Sequence, residues 1–450
     1  MVFRKPLLLI DRDLEFSSPY MPIKNIATQK PKSATHGLVA LSGLAFFLLG
    51  AIFLKFGNNF GGDIVICALF LIGCQAVGVF IPDLIWQQSY LRPSTGLNWK
   101  GLSPNWSRSA MKILGFWGTI GLLAFLYWLF PEYRGGFYER FFKAFEYIAP
   151  YLVIASVPYI FFVDGVMREP HDGYWNMGLI LMLQWRRVDE LIFRQHLLSW
   201  LVKGFFIPLM FIYMCNDLVK FIAVDFATIN SFQKFWDFSW DFLYFIDVGI
   251  ATMAYIMAFR ILDTQIRSTE PTMLGWVVAL CCYEPFWSLI GRLYLSYDTG
   301  FPWGKWLWDY PLAYGFWGSL ILFLTVIYVW STVIFGGRFS NLTNRGVITN
   351  GPYSLTKHPA YVAKNLSWWL LSIPFVANMN QFEIVRHCLL LLGLNLIYAL
   401  RAKTEERHMS NDPDYVVYAN WIDEHGIFRW IRRVPILKLF SYKQNEIAKL

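Results

Sequence analysis

Charge is the first scarcity. Asp, Glu, Lys and Arg make up 16% of the 450 residues, against about 25% in an ordinary soluble domain. A conventional water-soluble fold could not hide what remains. The apolar stretches are continuous rather than alternating, which argues against a strand barrel. The six cysteines (67, 74, 215, 281, 282 and 388) all sit in apolar stretches and show no CxxC or other metal-ligand spacing. No metal is expected, and they read as packing residues. No repeat of 20–50 residues and no low-complexity tract stands out. The first 35 residues are polar and proline-broken, and they lack the apolar core of a cleavable signal.

What is abundant is hydrophobic surface. The chain is 56% hydrophobic and 19% aromatic, as in polytopic membrane proteins whose Trp and Tyr crowd the interfaces. Runs long enough to cross ~30 Å of hydrocarbon lie near 36–56, 62–82, 110–130, 145–164, 197–215, 241–259, 271–290, 309–335, 359–377 and 383–400. The expected fold is therefore all-α: a polytopic transmembrane helical bundle of about ten spans with interfacial helices. Segments 174–196 (or else a short extra span) and 413–433 (a surface helix or a lid) are the interfacial candidates, with Tyr415 and Tyr418 as interface anchors.

Cations set the expected orientation. Arg92, Lys100 and Arg108 fall in the second loop, Arg168, Arg186, Arg187 and Arg194 in the fourth, Arg260 and Arg267 in the sixth, and Arg338, Arg345 and Lys357 in the eighth. With ten spans, both termini fall in the cytoplasm. Basic loops beside anionic headgroups account for the formal charge of +8, so no nucleic-acid partner is implied. Asn-x-Ser/Thr triplets at Asn105, Asn341 and Asn365 fall inside or in the bilayer, away from glycosylation. The terminal Ala448-Lys449-Leu450 is a weak peroxisomal match and is discounted. By chemistry the chain divides into a polar cytoplasmic arm (1–35), an N-terminal transmembrane bundle of unassigned role (36–308) and a C-terminal region with three spans and a polar motif (309–450).

That motif carries the chemistry. Gly351-Pro352-Tyr353 punctuates a loop, and Gly351 permits either unusual backbone geometry or close ligand approach. Pro359 suits a first helical turn. His358 then stands at a helix start, with Tyr361 and Asn365 following on one face. Uncapped N–H groups there favour an anion such as a carboxylate. Asn395, Tyr398, Ala402 and Glu405 form a second stripe. Arg401 and Glu405, four apart, are placed to pair, and Glu406 lies one position round. If the two helices pack together, His358, Tyr361, Glu405 and Glu406 converge at the membrane surface. Asp247 and Glu284 are intramembrane carboxylates and so candidates for function. Arg292 or Arg260 could instead neutralise them.

Gly-Pro-Tyr, then a basic residue with His-Pro-x-Tyr, then a hydrophobic hairpin, then Glu-Glu and two tyrosines, resembles the isoprenylcysteine carboxyl methyltransferase and phospholipid methyltransferase superfamily. The resemblance covers about residues 340–425. It implies S-adenosylmethionine bound at the cytoplasmic face and a lipophilic acceptor (prenylated-thiol carboxylate, phospholipid amine or similar) arriving through the membrane. It transfers cofactor contacts to Gly351, Tyr353, His358, Pro359, Tyr361, Glu405 and Glu406. Lys357 stands where Arg is usual, and the Phe-Gly turn that usually follows Glu-Glu is missing.

The chemistry fits that implication. In-line displacement at a sulfonium needs alignment and exclusion of water, not a covalent nucleophile. Lys357 or Arg401 suits the donor's carboxylate, and Glu405 and Glu406 its ammonium and ribose. Tyr361 or Tyr398 can face the sulfonium. His358 serves as a donor contact or, with an amine acceptor, as a base. Catalysis is thus expected of His358, Tyr361 and Glu405, and acceptor binding of Asp247, Glu284 and Asn365. Two other classes are weighed beside it. One is an NADPH-dependent, sterol-reductase-like membrane oxidoreductase, which Pro359 disfavours. The other is a transporter using Asp247 and Glu284.

Overall fold

The computed structural model describes residues 30–57, 59–298, 300–375 and 380–430. Most of the polar arm, Arg432, Arg433 and the terminal Ala-Lys-Leu lie outside the described residues. The helices are α1 (Gly37–Phe56), α2 (Ile64–Ile85), α3 (Trp106–Leu129), α4 (Glu139–Val166), α5 (Gly173–Leu181), α6 (Glu190–Ala223), α7 (Phe232–Ile256), α8 (Met273–Leu280), α9 (Pro311–Val333), α10 (Pro359–Ser372), α11 (Gln381–Met409) and α12 (Pro413–His425). A π-helical segment spans Ser288–Leu295. Two short strands, β1 (Ser268–Thr269) and β2 (Thr343–Asn344), pair antiparallel.

Polar residues at helix starts explain many boundaries. Asp63, Asn105, Asp172, Asp189, Ser231, Thr272, Asn380 and Asp412 each accept a backbone N–H from the first turn of the helix that follows, which satisfies donors that would otherwise be orphaned. Asn105 of the first glycosylation triplet is thus a helix cap. Pro311, Pro359 and Pro413 open their helices at the first turn, where their missing N–H costs nothing.

The main core lies among α1, α2, α6, α7 and the end of α9. Phe47, Phe206, Phe245 and Tyr255 are fully buried there. Small residues set the tightest crossing. A Cβ on Gly115 of α3 would meet the Tyr174 carbonyl of α5 at 1.9 Å, so only glycine lets those two backbones approach.

Among the described residues, seven helices (α1, α2, α3, α4, α6, α9 and α11) are long and apolar enough to cross a membrane. The expected ten is therefore corrected, for three different reasons. The run at 359–377 gives only the 14-residue α10, about 21 Å long, because the chain turns left-handed at Ile373 ahead of Pro374. The run at 271–290 breaks into the 8-residue α8 and the π-helical segment. At 25 residues α7 is long enough, but Lys234, Asp237, Asp241 and Asp247 make it less apolar. The segment 174–196 is likewise not one helix. It comprises α5, a 3-10 turn at Trp185–Arg187 and the first turns of α6.

One end of the bundle gathers an ionic hub. Arg338 after α9 binds Asp263 after α7 (3.1 Å) and faces Asp83 of α2 (3.8 Å). Arg92 and Arg267 reach the same aspartates at 3.5–3.6 Å. Thr35 and Ser33, just before α1, hydrogen-bond to Asn350 and Thr349, just before α10. The Lys30 ammonium lies 5.4 Å from the Trp421 ring of α12. The chain therefore returns to the end of the bundle at which α1 begins.

Candidate functional site

The loop into α10 is built by a left-handed glycine. Gly351 has φ +56°, and a Cβ there would lie 3.1 Å from Ile334. Of its two expected roles, backbone geometry is the one observed. Its turn projects Tyr353 inward and delivers His358 to the start of α10. Pro359 is buried at the first turn. Neither Gly351 nor Pro359 is among the residues that line the two cavities beside His358. Both shape the loop and make no wall.

His358 meets the paired glutamates. Its Nε2 is 3.2 Å from Glu406 Oε1, and its Nδ1 is 3.8 Å from Glu405 Oε2. The Tyr361 hydroxyl donates to Glu405 Oε2 at 2.9 Å, and its ring stacks on the imidazole. Between α10 and α11, Trp369 Nε1 donates to Asn395 Oδ1 (2.8 Å) and Asn395 Nδ2 to Asn365 Oδ1 (2.5 Å). Asn365 thus ties the two helices together.

The two glutamates have different environments. Glu406 is buried and binds Lys357 and Lys403, each at 2.9 Å. Lys357 also binds Asp423 of α12 at 3.1 Å. Burial alone would lower the Lys357 ammonium, but Glu406 and Asp423 outweigh it and hold its pKa above the ordinary value. The Glu405 side chain is 41% exposed. It faces a chamber of about 950 Å³.

Arg401 does not pair with Glu405, as the four-residue spacing had suggested. Its Nη2 donates to Asn341 Oδ1 at 2.6 Å. Its guanidinium lies 5.1–5.8 Å from the ring centres of Tyr361, Tyr283 and Tyr398. Cation–π attraction and one hydrogen bond hold it inside an aromatic cage. Tyr361 and Tyr398, proposed to face a sulfonium, therefore already carry a cation.

The chamber unites most of the expected residues. Tyr353, Lys357, His358, Tyr361, Tyr398, Arg401 and Glu405 line it, with Asp247 and Glu284. Asp247 accepts from the Tyr328 hydroxyl at 2.7 Å. Glu284 pairs with Arg292 at 3.4 Å, and Arg260 instead donates to the Thr95 carbonyl. The chamber continues to Glu132, Phe137 and Tyr138 between α3 and α4, at the opposite end of the bundle, so its wall draws on both sides of the 308/309 boundary. Glu406 and Asn365 line a smaller cavity of about 320 Å³ on the other side of His358 and Tyr361.

Several contributors were missed. Tyr415 and Tyr418, expected as interface anchors, are buried and line the chamber. The Tyr418 hydroxyl donates to the Tyr353 carbonyl at 2.7 Å. Asp412 caps α12 behind the Asn411-Asp412-Pro413 turn, so this helix swings back over the site rather than lying on the surface. Burial first, then Glu405, raises the Tyr353 phenol. Arg345, counted from sequence only as a loop cation, lies in the chamber wall. So do Tyr283, Asn341 and Thr343. Among the described residues no group of three or more His, Cys, Asp or Glu is placed to hold a metal ion.

The chain is 31% identical over 117 residues to the cobalt-zinc-cadmium resistance protein CzcN of Cupriavidus metallidurans. That match covers 26% of this chain and 49% of the relative, so the chain spans about half the length of the curated relative it matches. No family model matches the chain, and no solved structure matches it.

Proposed function

We propose that the chain is an integral membrane methyltransferase of the kind its C-terminal motif resembles. It would bind S-adenosylmethionine beside His358, Tyr361 and Glu405 and methylate a lipophilic acceptor lodged in the chamber. The observation that carries this reading is the half-exposed Glu405 carboxylate, held by Tyr361 and bracketed with His358 at the head of a long apolar chamber.

The donor set fits the cofactor's groups. Glu405 offers a carboxylate to an ammonium or to ribose hydroxyls. Bound there, the donor supplies an electrophilic methyl group and leaves as a neutral thioether when the acceptor's heteroatom forms the new bond. Tyr361 fixes the Glu405 rotamer. Glu406, neutralised by Lys357 and Lys403, holds His358 in place rather than touching the reactants. Tyr353, Tyr415 and Tyr418 close one wall against water, which strengthens each polar contact inside. His358 sits within reach to take a proton if the acceptor is an amine or thiol; a carboxylate acceptor needs none.

The basic end of the bundle is proposed to face the cytoplasm by the positive-inside rule. The contacts of residues 33–35 with 349–350 and of Lys30 with Trp421 support the same side for the start of α1 and for α12. His358→Ala and Glu405→Ala are each expected to abolish binding of labelled S-adenosylmethionine. Wild-type affinity in both would sink the reading. Incubating membranes with the labelled donor and isolating the lipid that takes the label would identify the acceptor.

A further inference from the structure

Arg345 is a buried cation without a counter-ion among the described residues. It is 3% exposed, and among the described residues no carboxylate pairs with it. Its Nε donates to the Thr264 carbonyl at 2.7 Å, and its Nη1 to the Ala254 and Phe339 carbonyls at 2.9 Å. Its Nη2 has no partner among the described residues. Two residues earlier, the buried Thr343 hydroxyl also has none. Both residues are among those that line the chamber.

The surroundings sharpen the point. Arg338 and Lys203, the neighbouring cations, oppose the Arg345 charge, and only the Tyr255 phenol acts the other way; Arg338 is already committed to Asp83 and Asp263. Burial, then the Arg338 charge, brings the Arg345 guanidinium down to about 9. Carbonyl dipoles hold it in place but do not neutralise it. A buried charge in this state is costly unless a ligand completes it, and an unpartnered guanidinium N–H two residues along from an unpartnered hydroxyl matches one ligand chemistry, an oxyanion.

We infer that Arg345 and Thr343 form an oxyanion subsite in the chamber wall, which takes a carboxylate or phosphate. Its place in catalysis rests on the methyltransferase reading, where the oxyanion comes either from the donor's amino-acid end or from the acceptor's head group. Arg401, caged by three tyrosines and bound to Asn341, is the less available cation of the two.

The test uses the full chain purified in a neutral maltoside detergent. Affinities are measured for dodecyl phosphate, dodecanoate and dodecanol, and for S-adenosylmethionine and its decarboxylated analogue. The wild type is expected to bind the two anionic amphiphiles at least about tenfold more tightly than dodecanol. Arg345→Lys keeps a cation but loses the fork, and Thr343→Val removes only the hydroxyl, so the second variant serves if the first does not fold. Weaker binding of the anionic amphiphiles in these variants, with S-adenosylmethionine unchanged, assigns the subsite to the acceptor's head. Weaker binding of S-adenosylmethionine, with its decarboxylated analogue unchanged, assigns it to the donor's carboxylate. If all five probes bind the variants and the wild type alike, the subsite is overturned. If S-adenosylmethionine fails to bind the wild type while the amphiphile discrimination persists, the methyltransferase reading falls and the subsite stands.

Discussion

The ionic hub and the chamber lie side by side, and they treat buried charge in opposite ways. In the hub, Asp83 and Asp263, each 1% exposed, are met by Arg92, Arg267 and Arg338. In the chamber, seven residues along from Arg338, Arg345 is as deeply buried, and among the described residues only carbonyls accept its hydrogen bonds. The adjacent glutamates repeat the contrast. Glu406 is locked between two lysines and a histidine, while Glu405 has one hydroxyl donor, one distant imidazole edge and open space. Buried groups that meet an opposite charge hold elements in register. Groups left incomplete beside a cavity are where a ligand has something to add.

The largest expected effect would break the hub. Asp263→Ala strands Arg338, and a broken buried ion pair costs about 3–5 kcal/mol. Thermal or denaturant unfolding in micelles would show it as a large loss. A change under about 1 kcal/mol, within the range of an exposed pair, would mean that the hub is not structural.

The two glutamates sharpen the comparison further. Glu406→Gln is expected to destabilise by about 3 kcal/mol, as for a buried pair losing one member. Glu405→Gln should change stability by less than about 1 kcal/mol, yet lower methyl transfer about ten- to a hundredfold at limiting donor, the scale for losing a hydrogen bond to a charged group. Equal effects on stability would erase the distinction between them.

Tyr361→Phe removes a single hydrogen bond and keeps the ring. A loss of about tenfold in transfer rate is expected, equivalent to roughly 1.4 kcal/mol, with the cage around Arg401 preserved.

The smallest effect concerns pH. The folded state raises the Lys357 pKa above its ordinary 10.5, so its contribution is fully present below pH 10.5 and fades as pH climbs through the higher folded value. Stability should therefore show no Lys357-dependent change between pH 7 and 10. An alkaline decline above that range should be absent in Lys357→Met.

How much was legible follows the same division. The convergence of His358 and Tyr361 with Glu405 was readable because helical period places each set on one face, and two faces joined by a short hairpin must meet. The Arg401–Glu405 pair was misjudged because spacing along one helix says nothing about a tyrosine cage drawn from α10 and the segment after α8. Tyr415 and Tyr418 were misjudged because their direction depends on the Asp412 cap, which turns α12 back over the loop. Arg345 was invisible as a site, since a loop arginine reads the same in sequence whether it faces lipid headgroups or a cavity.

Composition and continuous apolar runs alone determined that this chain is an all-α membrane bundle, because lipid leaves unpaired backbone groups no partner and helices satisfy their own. Local periodicity and turn residues determined which polar side chains share a face. Only the tertiary structure decided how many runs are long and apolar enough to cross, which charges are neutralised and which are left incomplete, and that the N-terminal bundle supplies part of the chamber wall. Those outcomes depend on neighbours far apart in sequence, and burial and electrostatics are set by the full surroundings of a group, not by its own segment.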